Sequence, residues 1–460
     1  MQVGTQKRLD VDALRDRFSG RLIGLDDPDY DQLRTVVAGG IDRHPAVIVR
    51  VANADDVAQA IALAREQGLE LAVRSGGHSG PGFGTTEGGL VIDVCDLNVL
   101  EIDPETRTAW AGSGLTAGEY STAAAEHGLA TGFGDTGSVG LGGLITGGGV
   151  GYLSRKYGLT IDNLLAAEVV TAEGQVVEVD AEQHPDLFWA IRGGGGNFGV
   201  VTRFKLRLHP VDGIVGGMLI LPATAETVAG FIEAAEDAPD ELTTIANVMN
   251  APPMPFLPEE VHGRVVIMGM LAYTGDRDSG LRAMEPFRAL AEPLADQLRP
   301  MAYPEMFPPE PEEEYHPLAV ARTMFVNRIG PADAEVIVER LNASDATLRA
   351  VQLRVLGGAV NRVPVEATAY AHRSSRIMVN VAAFYEGEQD RAAREAWVND
   401  VVARLDQGDP AAYVNFLVDE GQERIRAAYP GAAWDRLVKV KRRYDPENLF
   451  RLNQNVPPAA

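Results

Sequence analysis

RSGGHSGPGFG, residues 74–84, sets one histidine, His78, in a run of glycine, serine and proline that forms neither a helix nor a central strand. The chain holds only eight histidines, so the placing of this one needs a reason. On the residues alone three readings are open. A metal ligand needs partners, and no H-E-x-x-H or paired His/Asp spacing surrounds His78; His44, His127 and His184 are scattered. A general base needs an orienting acid, and only Glu87 stands near it in sequence. A solvated loop histidine is what composition by itself favours.

The text before the loop reads strand, helix, strand: PAVIVRV at 45–51, NADDVAQAIALAREQG at 53–68 with Asn53 as its cap, and LELAVR at 69–74. After it come GGLVIDV at 88–94, NVLEIDPETRTAWAGSG at 98–114 and a helix from about Thr116 to His127, a mixed α+β texture rather than a regular βαβ alternation. LLAAEVVTAEGQVVEV, 164–179, predicts a hairpin turned at Glu173-Gly174; PDLFWAIRG, 185–193, a short helix; VVTRFKLRL, 200–208, a strand. Residues 211 to about 412 predict helices at 225–238, 277–296, 331–348 and 389–406 alternating with strands such as RVVIMGMLAY, LRAVQLRVL and SRIMVNVAAFY, a separate antiparallel sheet covered by helices. Within it PEMFPPEPEEEYHP, 304–317, reads as a solvated loop, with a lid as the functional alternative.

Two further glycine runs carry chemistry. GDTGSVGLGGLITGGGVG, 134–151, is about half glycine, and its interleaved Leu141, Leu144, Ile145 and Val150 argue against a flexible linker. Such a run suits backbone wrapped around a flat or phosphorylated ligand, but no Walker lysine follows it. GGGGNFG, 193–199, holds a formal G-x-G-x-x-G at Gly194, Gly196 and Gly199. A Rossmann turn needs a strand before and a helix after; here the order is reversed, so only close backbone approach near Gly196 to Gly199 is kept.

At 460 residues and 45% hydrophobic content the chain suits two or three domains. Its 41 basic and 65 acidic residues give −24, which repels nucleic acid and anionic membranes and favours a small-molecule substrate as partner. Cys95 is the single cysteine, the first 18 residues carry no apolar h-region, and no apolar run of 18 occurs, so a soluble cytoplasmic chain is expected and the sequon at Asn342 has no glycosylation meaning. A homodimer is left open, and no metal is expected.

AVRSGGHSGPGFGTTEGGLVIDVCDLN, 72–98, resembles the histidine-bearing FAD loop of the berberine-bridge-enzyme-like oxidases, in the vanillyl-alcohol-oxidase/PCMH flavoprotein superfamily. TGGGVGYLSRKYGLTIDNLLAAEVVTAEG, PDLFWAIRGGGGNFGVVTRFKLRLHP, AYVNF and YDPENLFRLNQNVPP resemble that family's further signatures in the right order. The nearest flavour is the bacterial 6-hydroxy-D-nicotine-oxidase type. The resemblance implies a two-part PCMH-type FAD-binding domain, residues 1–210 completed by 413–460, around a substrate-binding domain, 211–412. It implies FAD carried through the 8α-methyl group on His78. Many relatives add a cysteine in C-P-x-V-G-x-G-G; this chain reads TGSVGLGG with Thr136 at that place, so one covalent bond is expected.

Carried over by position, Arg74, Ser75, Gly76, Gly77, His78, Ser79 and Gly82 are expected at the diphosphate and linkage side. Thr136, Gly137, Gly140, Gly143, Gly148, Gly149, Gly151 and Tyr152 should wrap the flavin and ribityl chain. Gly196, Gly199 and Val201 should follow the adenosine half, with Asn415, Asn453 and Asn455 at the isoalloxazine edge. The family reaction moves a hydride from a C–H next to nitrogen or oxygen, with dioxygen as final acceptor and hydrogen peroxide as product; a dehydrogenase with another acceptor and a non-catalytic flavoprotein are the competing readings. Tyr413 is the candidate base with Tyr152 and Tyr370 as reserves, since Phe416 stands where many plant relatives have tyrosine. On the strand after His372-Arg373, where relatives place a glutamate or tyrosine, this chain has Val379 and Asn380, the latter a candidate for orienting substrate.

Overall fold

The computed structural model describes residues 9–307 and 316–459. The acidic stretch 308–315, the core of the loop or lid expected from the sequence, lies outside the described residues.

The first sheet runs in the order Arg21–Ile23, Val47–Arg50, Leu90–Asp93, Leu71–Arg74, its first pair antiparallel and the others parallel. Parallel neighbours require a connection that runs back along the sheet. The helix Ala54–Gln67 is one such return; it starts where Asn53 accepts from the Asp56 N–H and stops at Gly68, φ +65°. Its Val57, Ala60, Ile61 and Ala64 pack on Val47, Val49, Leu90 and Ile92, each fully buried aliphatic side chain stabilising by about 1.5–3 kcal/mol. The other return, residues 75–89, is the His78 loop. A second, wholly antiparallel sheet runs Leu100–Asp103, Thr108–Gly112, Val200–Arg207, Leu164–Val170, Val176–Asp180. The expected hairpin is there, with Gly174 at φ +77°. Near its end His209 stacks on Tyr157 with centroids 4.0 Å apart and bonds Asn163 Oδ1 at 2.6 Å; burial lowers its pKa to about 4.

The large antiparallel sheet orders Ala295–Asp296, Ile214–Pro222, Val265–Tyr273, Leu242–Asn250, Arg349–Val355, Ile377–Tyr385 and Leu318–Val326, with Arg299–Met301 also on Ile214–Pro222. Helices Ala225–Asp237, Arg277–Arg288, Pro331–Ala343 and Glu388–Leu405 cover one face, where Val351, Leu353, Val379 and Val381 meet Phe231, Ile337, Leu341 and Val398. Two helices are shorter than their patterns predict. The one from 277 ends at Arg288, and Ala295–Asp296 pairs with Leu219 and Ile220 instead; Pro293 disfavours helical backbone at Glu292 and withholds an N–H. That from 331 ends at Ala343, where Ser344 turns extended.

The opposite face docks on the rest of the chain: Phe325 and Met378 join the cluster of Phe198, Phe204 and Tyr413, while Ile245 and Met270 meet Tyr152 and Tyr303. Arg373, fully buried, binds Asp162 through both guanidinium ends at 2.8 and 2.7 Å. The last helix, Ala432–Tyr444, puts Leu437 and Val440 against Leu187 and Phe198. Among the described residues no helix is long and apolar enough to cross a membrane, and no group of three His, Cys, Asp or Glu is placed to hold a metal.

Candidate active site

The His78 loop leaves its strand at Arg74, whose guanidinium binds Asp93 at 2.7 Å, both side chains buried. Arg74 also reaches the Thr35 carbonyl at 3.4 Å. The sequence reading aims this guanidinium at a diphosphate; the structure ties its charge to Asp93. Ser75 Oγ donates to the Ser113 carbonyl at 2.7 Å. There the first glycine run meets the second: a Cβ on Gly76 or on Gly140 would overlap the other's backbone nitrogen. The two loops therefore touch backbone to backbone, which only glycine permits.

From Gly140 the second run enters a short helix, Leu141–Gly147, then Gly148 (φ +146°) and Gly149 (φ +79°). The C-terminal segment closes on this turn. The Gly149 N–H donates to the Tyr413 hydroxyl at 2.9 Å, and the Asn415 amide donates to the same oxygen and to the Leu144 carbonyl, each at 3.1 Å. A Cβ on Gly147 would overlap the Asn415 side chain. At the third run, Asn453 Nδ2 donates to the Gly196 carbonyl at 3.1 Å, and Asn197 Nδ2 to the Gln454 carbonyl at 3.1 Å. Beneath them Lys441, fully buried, donates to Asp445, to the Asn197 carbonyl and to the Phe450 carbonyl at 2.7–2.8 Å.

These loops enclose a cavity of about 460 Å³. Of the residues expected at the cofactor, Arg74, Ser75, Gly76, Gly77, His78 and Ser79 line it. So do Thr136, Gly140, Gly143, Gly149, Gly196, Gly199, Val201, Asn415 and Asn453, and the candidate base Tyr413. Outside the lining lie Gly82, packed on Ile41; Gly137, which accepts from the Gly118 N–H; Gly148, against Tyr413; and Gly151, against the Phe133 carbonyl. Tyr152, buried beside Phe307, and Asn455 are also outside it. Of the other catalytic candidates, Tyr370 lies behind the wall, its ring edge-on to Tyr413 at 6.0 Å, and Asn380 sits on the large sheet. Sequence reasoning missed Asn197, Gln454, Phe450, Leu71 and Val94, which also line the cavity. The G-x-G-x-x-G around Asn197 was a usable signal; Leu71 and Val94 read as ordinary core.

The wall's electrostatics follow from burial. Burial raises the Tyr413 pKa, and the donors from Gly149 and Asn415 pull it back only in part. Tyr370 is raised too, and its hydroxyl has no hydrogen-bond partner among the described residues. Cys95 gives its thiol to the Ser75 carbonyl at 3.1 Å and, through burial and then Asp93, is pushed up to about 12, so it is a thiol at neutral pH. The lining suits a long ligand with both a flat and an anionic part: backbone-rich glycine loops at three stations, open space beyond Gly143 and Gly196 where a Cβ would meet nothing within 4 Å, and a buried, unpartnered carboxamide oxygen on Asn453.

Comparison with known proteins agrees with this geometry. A family described as FAD binding domain matches residues 45–180, and one described as berberine and berberine like matches 412–457. An FAD-linked oxidoreductase of Dictyostelium discoideum is 31% identical over 423 residues, covering 90% of this chain and 89% of the relative. The (R)-6-hydroxynicotine oxidase of Paenarthrobacter nicotinovorans is 30% identical over 456 residues, covering 96% and 97%. The crystal structure of 6-hydroxy-D-nicotine oxidase from Arthrobacter nicotinovorans superposes with a TM-score of 0.85 at 28% identity, covering 96% of this chain and 98% of that one.

Proposed function

The chain belongs to the FAD-linked oxidoreductases of the berberine-bridge type, and from that premise we propose an oxidase that removes hydride from a C–H beside nitrogen or oxygen of a small organic molecule and passes the electrons to dioxygen, giving hydrogen peroxide. The observation that carries it is the shared wall: His78 from the N-terminal part and Tyr413 from the C-terminal part line one cavity.

Bound FAD supplies the two-electron acceptor. The glycine-rich loops around Gly76, Gly140 and Gly196 would hold it through backbone N–H groups, since Arg74 is neutralised by Asp93. His78 would be its covalent tether, because a neutral imidazole nitrogen is a nucleophile at physiological pH. The tether would be single: Thr136 stands where relatives have the second anchor, and Cys95 is held as a thiol against Ser75. Tyr413 would take the proton from the substrate; its oxygen already accepts two hydrogen bonds, which stabilise the phenolate. Tyr370 buttresses that ring from behind. Residues 211–412 form the substrate-binding part in this reading, inserted between 1–210 and 413–460. We take the cytoplasm as its compartment, since a lone thiol suits a reducing milieu.

The experiment has two steps. Acid-precipitated wild-type protein should give a yellow pellet and His78→Ala a colourless one; a yellow pellet from the variant refutes the tether. Anaerobic mixing with amine, alcohol and sugar panels should bleach the flavin absorbance, and air should restore it with peroxide formed. Bleaching with slow return in air would instead mark a dehydrogenase.

A further inference from the structure

Three rows of side chains cross the large sheet on the face turned away from its helices. Phe325, Met378, Arg354, Ile245 and Met270 stand in register and dock that face on the remainder of the chain. The next row reads Thr323, Asn380, Gln352 and Asn247; the one beyond it reads Ala321, Ala382 and Ala350, ending on Met249. Alternation of period two keeps all three on one face. The middle row is thus polar, the third is short, and the first abuts the cavity: Arg354 donates to Asp135 at 2.6 Å and to the Val150 carbonyl at 3.2 Å, and its guanidinium lies 5.1 Å from the Phe416 ring centre. Asp135, Val150 and Phe416 all line the cavity.

Arg354 also orients the middle row. Its Nε donates to Gln352 Oε1 at 2.8 Å, Gln352 Nε2 donates to Asn247 Oδ1 at 2.8 Å, and Asn247 Nδ2 donates to the Met268 carbonyl at 3.3 Å. Both amides are fixed in direction, and each keeps a second N–H. At the other end of the row Asn380 Oδ1 and Thr323 Oγ1 are buried with no hydrogen-bond partner among the described residues. Arg354 is the one charge in these rows, and Asp135 neutralises it.

We propose that this row, held by Arg354, is the specificity surface of the enzyme and that it selects an uncharged substrate rich in hydroxyl or amide groups. The inference rests on reading the adjoining cavity as the flavin site. Gln352 and Asn247 offer N–H groups to the acceptors of such a molecule, the half-buried Asn380 continues the same polar row, and the alanine row leaves it room. A substrate cation would shed water on a row that offers it no carboxylate. A polar row that matches hydroxyls rejects analogues lacking them, because its own groups are then left unpaired. Arg354 is a positioning residue here: it acts through Gln352.

The test is anaerobic titration of the flavin-loaded protein at pH 7 with neutral probes (cellobiose, N-acetylglucosamine), cations (benzylamine, N-methylpyrrolidine) and anions (mandelate, lactate), following the flavin spectrum. Neutral probes should perturb it at concentrations at least tenfold below the charged ones. Gln352→Leu should weaken neutral binding tenfold or more while flavin content stays at the wild-type value, its unfolding temperature falling because Arg354 Nε loses its acceptor. Gln352→Glu should improve the cations relative to the neutral probes tenfold. Wild-type preference for a charged probe, no binding by any probe, or unaltered binding in Gln352→Leu overturns the proposal. A protein purified without flavin overturns the underlying cavity reading instead.

Discussion

Two glycines three residues apart should respond in opposite ways to the same added methyl group. On Gly140 a Cβ would overlap Ser75 Oγ and Gly76 N and lie 2.9 Å from Gly76 Cα, so two loops that touch through backbone must part by about 1 Å. Overpacking costs about 1–3 kcal/mol, and with backbone as the obstacle the upper end applies. Gly143 sits inside the helix Leu141–Gly147, is exposed to the cavity, and meets nothing within 4 Å of a Cβ. There Ala should stabilise the apoprotein by about 0.5–1 kcal/mol through lost unfolded-state entropy, yet its methyl projects into the ligand space. Thermal unfolding and the ratio of flavin to protein absorbance, measured together, separate the effects. Gly140→Ala should lower both, the unfolding temperature by roughly 3–6 °C for a loss of about 3 kcal/mol in a chain of this size. Gly143→Ala should leave or raise the apoprotein's unfolding temperature while flavin loading falls. Full loading and unchanged unfolding in Gly140→Ala would refute the loop-contact argument; full loading in Gly143→Ala would refute the ligand path along that helix.

Other expectations are direct. Lys441→Met strands the buried Asp445 carboxylate and should destabilise by about 3–5 kcal/mol in denaturant unfolding, with Lys441→Met/Asp445→Leu regaining only part of it, since the Asn197 and Phe450 carbonyls and the Leu449 and Phe450 N–H groups stay unpaired. His209 is lowered to about 4 in the fold against 6.5 in the unfolded chain, so the unfolded state binds more protons between those values and stability should fall as pH drops through that window. His209→Gln should flatten the fall by on the order of 2 kcal/mol, a figure reduced for the ring's partial solvent contact. Burial raises the Tyr413 pKa, so the phenolate is a minor species near neutrality; kcat/KM should climb about tenfold per pH unit from 7 to 9, and Tyr413→Phe should remove the slope. A flat wild-type profile would dismiss Tyr413 as the base.

Local features were the legible ones. The Asn53 cap, the Glu173-Gly174 hairpin and the strands of the large sheet follow from residue periodicity and turn chemistry that act over a few positions. What escaped depends on partners far along the chain. Arg74 reads as an anion binder until Asp93 is seen to hold it. Lys441 stands in the basic run VKVKRR, and only the fold shows that the turn at Asn197 and the carbonyl of Phe450 enclose it. The density of the second glycine run was visible, but not that Gly147 and Gly148 are small to admit Asn415 and Tyr413. His78 lines the cavity, but its expected role as an anchor comes only from the resemblance to a family, because nothing within ten residues of it distinguishes an anchor from a loop side chain.

The closing of the cavity by Tyr413, Asn415 and Asn453 ties the cofactor to the order of synthesis. His78 and its glycine loops leave the ribosome early, but the segment between 210 and 413 takes roughly 10–40 s to translate at about 5–20 residues per second, and until then one wall is missing. On the proposed reading flavin capture would wait for the end of translation, and a chain cut short by a premature stop or by C-terminal proteolysis should stay colourless. Yellow colour in a preparation would then report finished chains, independently of any assay of turnover.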